Sequence, residues 1–369
     1  MKSVLITRRV VEPLSLCSRV WQHAQRSTRA ASSMAEERSL FYRTVWEAAA
    51  AAVGATVTHM DGSLLEICCG ELRLRVRDNV TSLDDPVTLE MAGKKPLVYR
   101  MLAERQIPVP RHCVCRRDDV ETARRFVAAA GGPCVIKPAY ASSAGVGITT
   151  GVMDGQLLPL TMAWAGASSR DIVVEEQIGG ENYRLLYLDG ELVDAVLRRP
   201  PMVHGDGHST IRQLIAAENA DRARMGAEAA QSLIRVDHDL KFTLGRQGYH
   251  VGSILSPGAV VPVKTVVNDN RREENEAASN RICPSIVEAG SAAAEALGVR
   301  LAGVDVITND PGVPLSESGA VVLEVNTTPG YYYHYMRKGG GAAVAVTILQ
   351  RLTGQSPSAP SDRAGGALD

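Results

Sequence analysis

Between residues 301 and 326 the chain twice adopts strand period around an acid: Gly303-Val304-Asp305-Val306-Ile307, and after a short break Val321-Val322-Leu323-Glu324-Val325-Asn326. Period two places Glu324 and Asn326 on one face of the second strand. With the two strands adjacent, Asp305, Glu324 and Asn326 make a hard, oxygen-only donor set. Such a set suits magnesium, which keeps waters and takes substrate phosphates. One acid alone is more often a capped strand end or an arginine's partner; three ligand-type residues in this arrangement favour a metal.

The remainder supplies mixed α and β elements. At 369 residues, 45% of them hydrophobic, the chain can bury a large core and divides into two or three lobes. Residues 1–93 form an expected N-terminal lobe, with a starting strand at Val4–Thr7, an alanine-rich helix near Tyr42–Val53, and strands at Leu64–Ile67 and Leu72–Val76. A helix is expected from Lys95 to Gln106, where Leu97, Val98, Met101 and Leu102 recur at helical spacing ahead of Pro108. Asp118 and Glu121 read as the capping box of the next helix, which Gly131 and Gly132 end. Strands follow at Cys134–Ile136, Ile172–Gln177, Tyr183–Leu188 and Glu191–Leu197, the last two joined by the hairpin signal Asp189-Gly190. Thr210 and Gln213 form a second capping box, and a helix over Pro284–Leu297 closes on Gly298. From residue 354 on, Ser, Pro, Gly and Ala predict a disordered tail.

Lys137 ends an apolar strand and precedes the small-residue run Ala139 to Gly147. A strand-end lysine is a positive point charge, and small residues let backbone amides curl around phosphate oxygens. The run matches neither common phosphate-loop pattern, so alone it reads as a surface loop. Upstream of the acidic strand pair it gains meaning, because lysine and metal would clamp one polyphosphate from two sides. Val173 to Arg184 adds an edge of acids and backbone groups beside Gly179-Gly180. Arg184 and Arg198 can both point at the phosphate site from the hairpin, although lone arginines are more often surface residues.

Charge and cysteines narrow the class. The formal net charge is -1 and basic residues are scattered, which leaves no nucleic-acid or polybasic membrane footprint. The longest apolar stretch, around Ala48 to Val57, is far short of the about 20 residues a membrane span needs. Seven cysteines, an odd number without a secretory segment, point to reduced thiols and a cytoplasmic protein. Cys68/Cys69 and Cys113/Cys115 lack metal-ligand spacing and read as buried thiols. The arginine-rich first 35 residues read as a strand and a polar connection rather than a transit peptide.

In order and spacing these motifs resemble the ATP-grasp superfamily, most closely the ATP-grasp half of cyanophycin synthetases and related carboxylate–amine ligases. The resemblance runs from about Leu65 to Leu352. It rests on Val135-Ile136-Lys137-Pro138, Tyr183-Arg184-Leu185-Leu186, Gly205-Asp206-Gly207 with Thr210-Ile211, Arg246-Gln247-Gly248, and the acidic strand pair through Pro314-Leu315-Ser316-Glu317 to Pro329-Gly330. It implies an α+β ATP-grasp fold, two α+β lobes gripping ATP, preceded by an N-terminal α/β lobe. The boundaries it suggests are 1–93 for that lobe, 94–353 for the ATP-grasp domain (central lobe about 130–200, metal lobe about 201–353), and 354–369 for the tail.

Residue roles follow from the same resemblance. Lys95 and Lys137 would hold phosphates, under a loop containing Ser142, Ser143, Gly145 and Gly147. Glu175, Gln177 and Ile178 would receive adenine, and the ribose position falls on Asn182 beside Glu181. Arg198 would neutralise the transferred phosphoryl group, with Arg184 as a second catalytic arginine. Asp305, Glu324 and Asn326 would hold two magnesium ions, for which manganese can substitute. The implied reaction joins a carboxylate to an amine through an acyl phosphate. Amino acids or peptides would be the substrates, with no nucleic acid or membrane, and a homodimer would be usual among such proteins. The alternatives are a γ-glutamyl or glutathione-synthetase-like ligase and a catalytically inactive nucleotide-binding regulator.

Departures from the pattern bear on the substrates. Asn182 replaces an acid, and the charged run Asn268 to Glu274 replaces a glycine-rich stretch. No counterpart of the Mur-ligase-like second half is present, so a complete cyanophycin polymerase is not expected. The 268–276 segment and Tyr331 to His334 are expected to line the substrate pocket, with core packing as the tyrosines' alternative. His208, His334 and Glu181 are candidates for the base that deprotonates the amine.

Overall fold

The computed structural model describes residues 35–140, 145–153, 157–225 and 233–356. The expected strand Val4–Thr7, the loop residues Ser142 and Ser143, and the tail beyond residue 356 lie outside the described residues.

The first lobe pairs a helix with an antiparallel meander. Helix α1 covers 35–52, and β1 (Thr56–Asp61), β2 (Leu64–Cys69), β3 (Leu72–Arg77) and β4 (Val80–Thr81) follow in spatial order. Leu65 and Ile67 of β2 and Leu74 and Val76 of β3 alternate with polar residues, so one sheet face is apolar and packs on Phe41, Val45 and Trp46 of α1. Each large apolar side chain so buried contributes roughly 1.5–3 kcal/mol.

Helices α2 (Pro86–Ala92) and α3 (Lys95–Glu104) lead into the central lobe. There β5 (His112–Arg116), α4 (Val120–Ala130), β6 (Cys134–Pro138), β7 (Thr149–Val152), α5 (Leu158–Ala165) and β8 (Asp171–Glu176) build a sheet of order β5-β8-β6-β7. The N-cap of α4 is Asp119, whose side chain accepts from the Thr122 N–H at 3.1 Å, which corrects the expected cap at Asp118. Glu121 thereby falls one position short of the box and pairs with Arg124, while Asp118 pairs with Arg116.

The third lobe opens with β9 (Glu181–Leu188) and β10 (Glu191–Arg198). Their turn holds Asp189 and Gly190 at φ 50° and 79°, the positive values a two-residue hairpin requires. Next come β11 (Met202–His204), α6 (Ile211–Arg224) with the expected Thr210–Gln213 capping box, α7 (His238–Arg246), β12 (Val260–Pro262) and β13 (Asn275–Ala277). Helix α8 (Pro284–Leu297) ends on left-handed Gly298, as expected, and β14 (Leu301–Thr308), α9 (Leu315–Ser318), β15 (Val321–Asn326), α10 (Tyr332–Tyr335) and α11 (Val344–Leu352) complete the chain.

The site is made by one face of the antiparallel sheet β13-β10-β9-β14-β15. Tyr183, Leu185, Ala302, Val304 and Val306 face α8 and α3 in one core. Residues of opposite parity, Leu186, Leu188 and Leu301, meet the first lobe, α10 and α11 in a second core. Followed along the same strands at period two, that second face changes from Leu186 to Arg184 and Asn182 on β9, and from Leu301 to Asp305 on β14. One face is therefore core at one end and polar cleft at the other.

Candidate active site

The cleft has a volume of about 960 Å³ and lies between the central sheet and the polar end of the five-stranded sheet. Lys and Arg side chains outnumber Asp and Glu eight to five around it, a bias that suits a polyphosphate. It brings together Lys95, Lys137, Gly145, Glu175, Gln177, Ile178, Glu181, Asn182, Arg184, Arg198, Asp305, Glu324 and Asn326. Gly147, also expected there, does not line it; it stands at φ 79° with room for a Cβ closed by Pro138 at 2.9 Å.

The strand pair puts Asp305 opposite Glu324 and Gly303 opposite Asn326. Arg184 grips both oxygens of Asp305, at 2.6 Å from Nε and 2.9 Å from Nη2. Burial pushes the Asp305 carboxyl up, but the Arg184 ion pair and its hydrogen bonds outweigh this and hold it below the usual carboxylate value. Gly303 permits the grip: a Cβ there would stand 3.1 Å from the Arg184 side chain and 2.9 Å from Pro329. Asn326 turns its amide nitrogen to the Gly303 carbonyl at 3.1 Å and to Asp305 at 3.3 Å. Glu324 pairs with Lys95 at 3.2 Å. Among the described residues no group of three His, Cys, Asp or Glu side chains could hold a metal ion; the strand pair offers two carboxylates and an amide.

Lys137 is buried at the end of β6 and contacts Glu175 at 2.7 Å and the Tyr99 hydroxyl at 2.8 Å. Tyr99 of α3 donates to Glu175 at 2.8 Å, with the Leu323 carbonyl 3.1 Å away. Burial, then the Glu175 charge, raises the phenol far above its ordinary value and keeps it a donor. Tyr99 was not legible as a site residue, because its partners Lys137 and Glu175 stand 38 and 76 residues away in the sequence. The N–H groups of Glu176 and Gln177 are bound to the Arg111 and Pro133 carbonyls, both at 2.9 Å. Glu176 also pairs with Arg111, and Gln177 Oε1 accepts from the Gly151 N–H at 2.6 Å. Glu181 pairs with Arg199 at 3.1 Å, and the Asn182 Oδ1 is buried without a hydrogen-bond partner.

Arg198 is fully buried rather than a surface residue. Its guanidinium lies 4.0 Å from the Tyr333 ring centre, and Nη2 donates to the Val267 carbonyl at 3.1 Å and to Asn268 Oδ1 at 3.0 Å. Nε and Nη1 make no hydrogen bond. Burial lowers the guanidinium below its ordinary value. Stacking and two anchors thus present a fixed fork whose free N–H groups await an acceptor.

Of the aromatic run, Tyr331 and Tyr332 are core residues and Tyr333 lines the cleft. From the rebuilt segment only Asn268 reaches it. The charges of that segment serve packing instead: Arg271 pairs with Glu218 at 2.8 Å and Asp269 with the buried Lys264 at 2.7 Å. This corrects the expectation that the whole 268–276 run faces substrate. Lys264, which also pairs with Asp237 at 2.7 Å, lines the cleft and was not anticipated from the sequence; its partners stand five and 27 residues away. His334 is buried against Asp194 at 2.7 Å and does not line the cleft, and His208 is exposed beside Asp206.

No protein-family model matches the chain. It is 30% identical over 270 residues to the cyanophycin synthetase of Trichormus variabilis, a match covering 73% of this chain and 30% of that protein. It is 29% identical over 256 residues to the glutathione biosynthesis bifunctional protein of Streptococcus mutans, covering 68% and 34%. The chain thus spans about a third of the length of the curated relatives it matches. Its fold is similar to the crystal structure of a bifunctional glutathione synthetase from Pasteurella multocida, with a TM-score of 0.51 and 22% identity over 81% of this chain and 42% of that one. No helix among the described residues is long and apolar enough to cross a membrane. By sequence and fold together, the chain belongs to the ATP-grasp superfamily.

Proposed function

We propose that the chain is an ATP-dependent ligase that joins a carboxylate to an amine. The carrying observation is the cleft itself, where the buried fork of Arg198, with two unbonded nitrogens, stands 3.8 Å from Asp305 of the acidic strand pair. In this reading a substrate carboxylate oxygen attacks the γ-phosphorus of ATP and ADP leaves, giving an acyl phosphate. The amine nitrogen then attacks the acyl carbon, phosphate leaves with the bonding pair, and the nitrogen loses a proton. Such chemistry needs positioning and charge neutralisation rather than a protein nucleophile.

The apolar slot of Val135, Ile178 and Leu323 suits adenine, with the Ile178 amide as its polar contact. Lys95 and Lys137 are set to take phosphate oxygens by sharing the protons they now give to Glu324 and Glu175. Arg198 would meet the transferred group and then the oxyanion of the second step. Asp305, Glu324 and the Oδ1 of Asn326 would hold two magnesium ions, supplying charge neutralisation at the phosphates. The fit is of donor type: oxygen only, with Asn326 turned so that its nitrogen faces Gly303 and Asp305. Amino acids or peptides are the proposed substrates.

Incubation with ATP, magnesium and pools of amino acids and dipeptides should release ADP and phosphate in a pool-dependent way. ADP formation that no pool stimulates would overturn the ligase reading. The glutathione-type relatives favour a γ-glutamyl ligase as the second reading, and the mass of the product separates the two.

A further inference from the structure

Strand β15 and the residues after it serve as a ruler along the cleft. At one end the Leu323 carbonyl lies beside Tyr99 and Glu175, 3.1 Å from the Tyr99 hydroxyl. Glu324 and Asn326 come next. Beyond them the Thr328 carbonyl accepts from Asn79 at 2.6 Å, and the Tyr331 N–H donates to Tyr42 of α1 at 3.0 Å. Gly330 sits between: a Cβ there would be 3.5 Å from Tyr42 Oη and 3.8 Å from the Tyr333 ring that carries Arg198. The cleft therefore runs from the apolar slot, past the acidic strand pair and Arg198, to helix α1. Arg38, one turn before Tyr42 on α1, lines that far end.

Most cations of the cleft are paired: Lys95, Lys137, Arg184, Arg199 and Lys264 each have a carboxylate within 3.2 Å, while Arg246 stands against Gly151 of β7, on the nucleotide side. Arg38 makes no hydrogen bond or ion pair with any described residue, although it lines the same cleft. A nucleotide seated in the apolar slot with its phosphates at Arg198 occupies the other side of Tyr333. A guanidinium with no partner among the described residues, standing beyond the reacting position, is thus placed for the substrate.

We propose that Arg38 is a specificity-determining residue: it binds a carboxylate of the substrate that takes no part in the reaction. The inference rests on the ligase reading for the word substrate. It adds that one of the two molecules joined carries an anionic group on the α1 side of the reacting atoms. A charge-assisted hydrogen bond of this kind is worth about ten- to hundredfold in binding.

The test uses the full chain with Arg38→Glu and Arg38→Lys, and amino acid and dipeptide pools read by ADP formation. Substrates bearing a spare carboxylate should lose about a hundredfold or more in kcat/KM with Arg38→Glu and under tenfold with Arg38→Lys, while KM for ATP stays within about twofold. Whichever substrate shows the raised KM, acid or amine, carries the group. Unchanged kcat/KM in Arg38→Glu, or equal use of substrates that lack a spare carboxylate, overturns the proposal. Should no pool stimulate ADP formation, the ligase reading fails, and calorimetry with L-glutamate, L-aspartate and Gly-Glu in the presence of magnesium and a non-hydrolysable ATP analogue decides the subsite separately. Binding that Arg38→Glu abolishes keeps it; no binding, or binding indifferent to Arg38, removes it.

Discussion

At the β8 end of the cleft Lys137 is held by Glu175, and beside it Arg184 by Asp305, whereas among the described residues Arg38 and the free edge of Arg198 at the α1 end have no carboxylate within hydrogen-bond reach. The two ends are built by different forces. A buried ion pair holds its own geometry, so the β8 end is shaped before any ligand arrives and gains little new attraction from one. Unpaired guanidinium groups gain most from an incoming anion, so the α1 end is where a ligand changes the energy of the site. Orientation belongs to the first end and selection to the second.

The largest expected effect comes from breaking the paired end at Glu324, the acid proposed to face the metal. Glu324→Ala should reduce ADP formation by on the order of a thousandfold; retained turnover would remove the strand pair from the metal assignment. A sharper comparison sets Lys137→Met against Arg198→Met. Loss of Lys137 leaves Glu175 buried without its cation and should cost about 3–5 kcal/mol of stability in denaturant unfolding. Loss of Arg198 removes a cation that no carboxylate holds closely, so it should cost below about 2 kcal/mol while lowering ADP formation about a hundredfold. Equal stability losses in the two variants would erase the distinction between the ends.

The core beside α1 should also be acid-sensitive. Burial holds the His334 imidazole below its ordinary value, against the opposing pull of its hydrogen bond to Asp194, and Arg337 contacts the same carboxylate at 2.6 Å. Below pH about 6.5 the unfolded chain binds a proton on that ring and the folded chain does not. Stability from this group is full above that pH and falls as the pH drops through the window down to the depressed folded value. Denaturant midpoints at two pH values should show a smaller drop on acidification in His334→Gln than in the unaltered protein. The smallest effect is expected at Tyr333: Phe keeps the ring under Arg198 and loses only the hydroxyl's bond to the Asn268 carbonyl at 3.3 Å, so kcat should change less than about twofold, against about tenfold for Ala.

What the sequence disclosed divides along the same line. Asp305, Glu324 and Asn326 were legible because period two assigns faces, a local rule; Arg184 and Arg198 could be placed on the hairpin at Asp189-Gly190, but their roles came only from the resemblance. Pairing across distance was not legible. Tyr99 meets Glu175 from 76 residues away, and Lys137 uses as its partner an acid that sequence reasoning had given to adenine. The charged run after Asn268 looked like a rebuilt substrate wall because its neutralising partners, such as Glu218 for Arg271, belong to another helix. Arg38 carried no signal at all: one of two arginines on α1, it acquires meaning only when Gly330 and Tyr333 are brought beside that helix.

The bond from Tyr331 to Tyr42 spans 289 residues, and the core it seals holds α1 against α10 and α11. On the ribosome, therefore, the helix that bears Arg38 emerges well before α10 and α11 and lacks part of its cover until they are made. At ordinary elongation rates that delay is on the order of tens of seconds. Throughout it, Phe41 and Tyr42 present an aromatic surface to whatever is nearby, and the substrate end of the cleft does not yet exist. Helix α1 is thus made long before the helices that complete its cover, which makes this end the one most exposed to misassembly and chaperone engagement during synthesis.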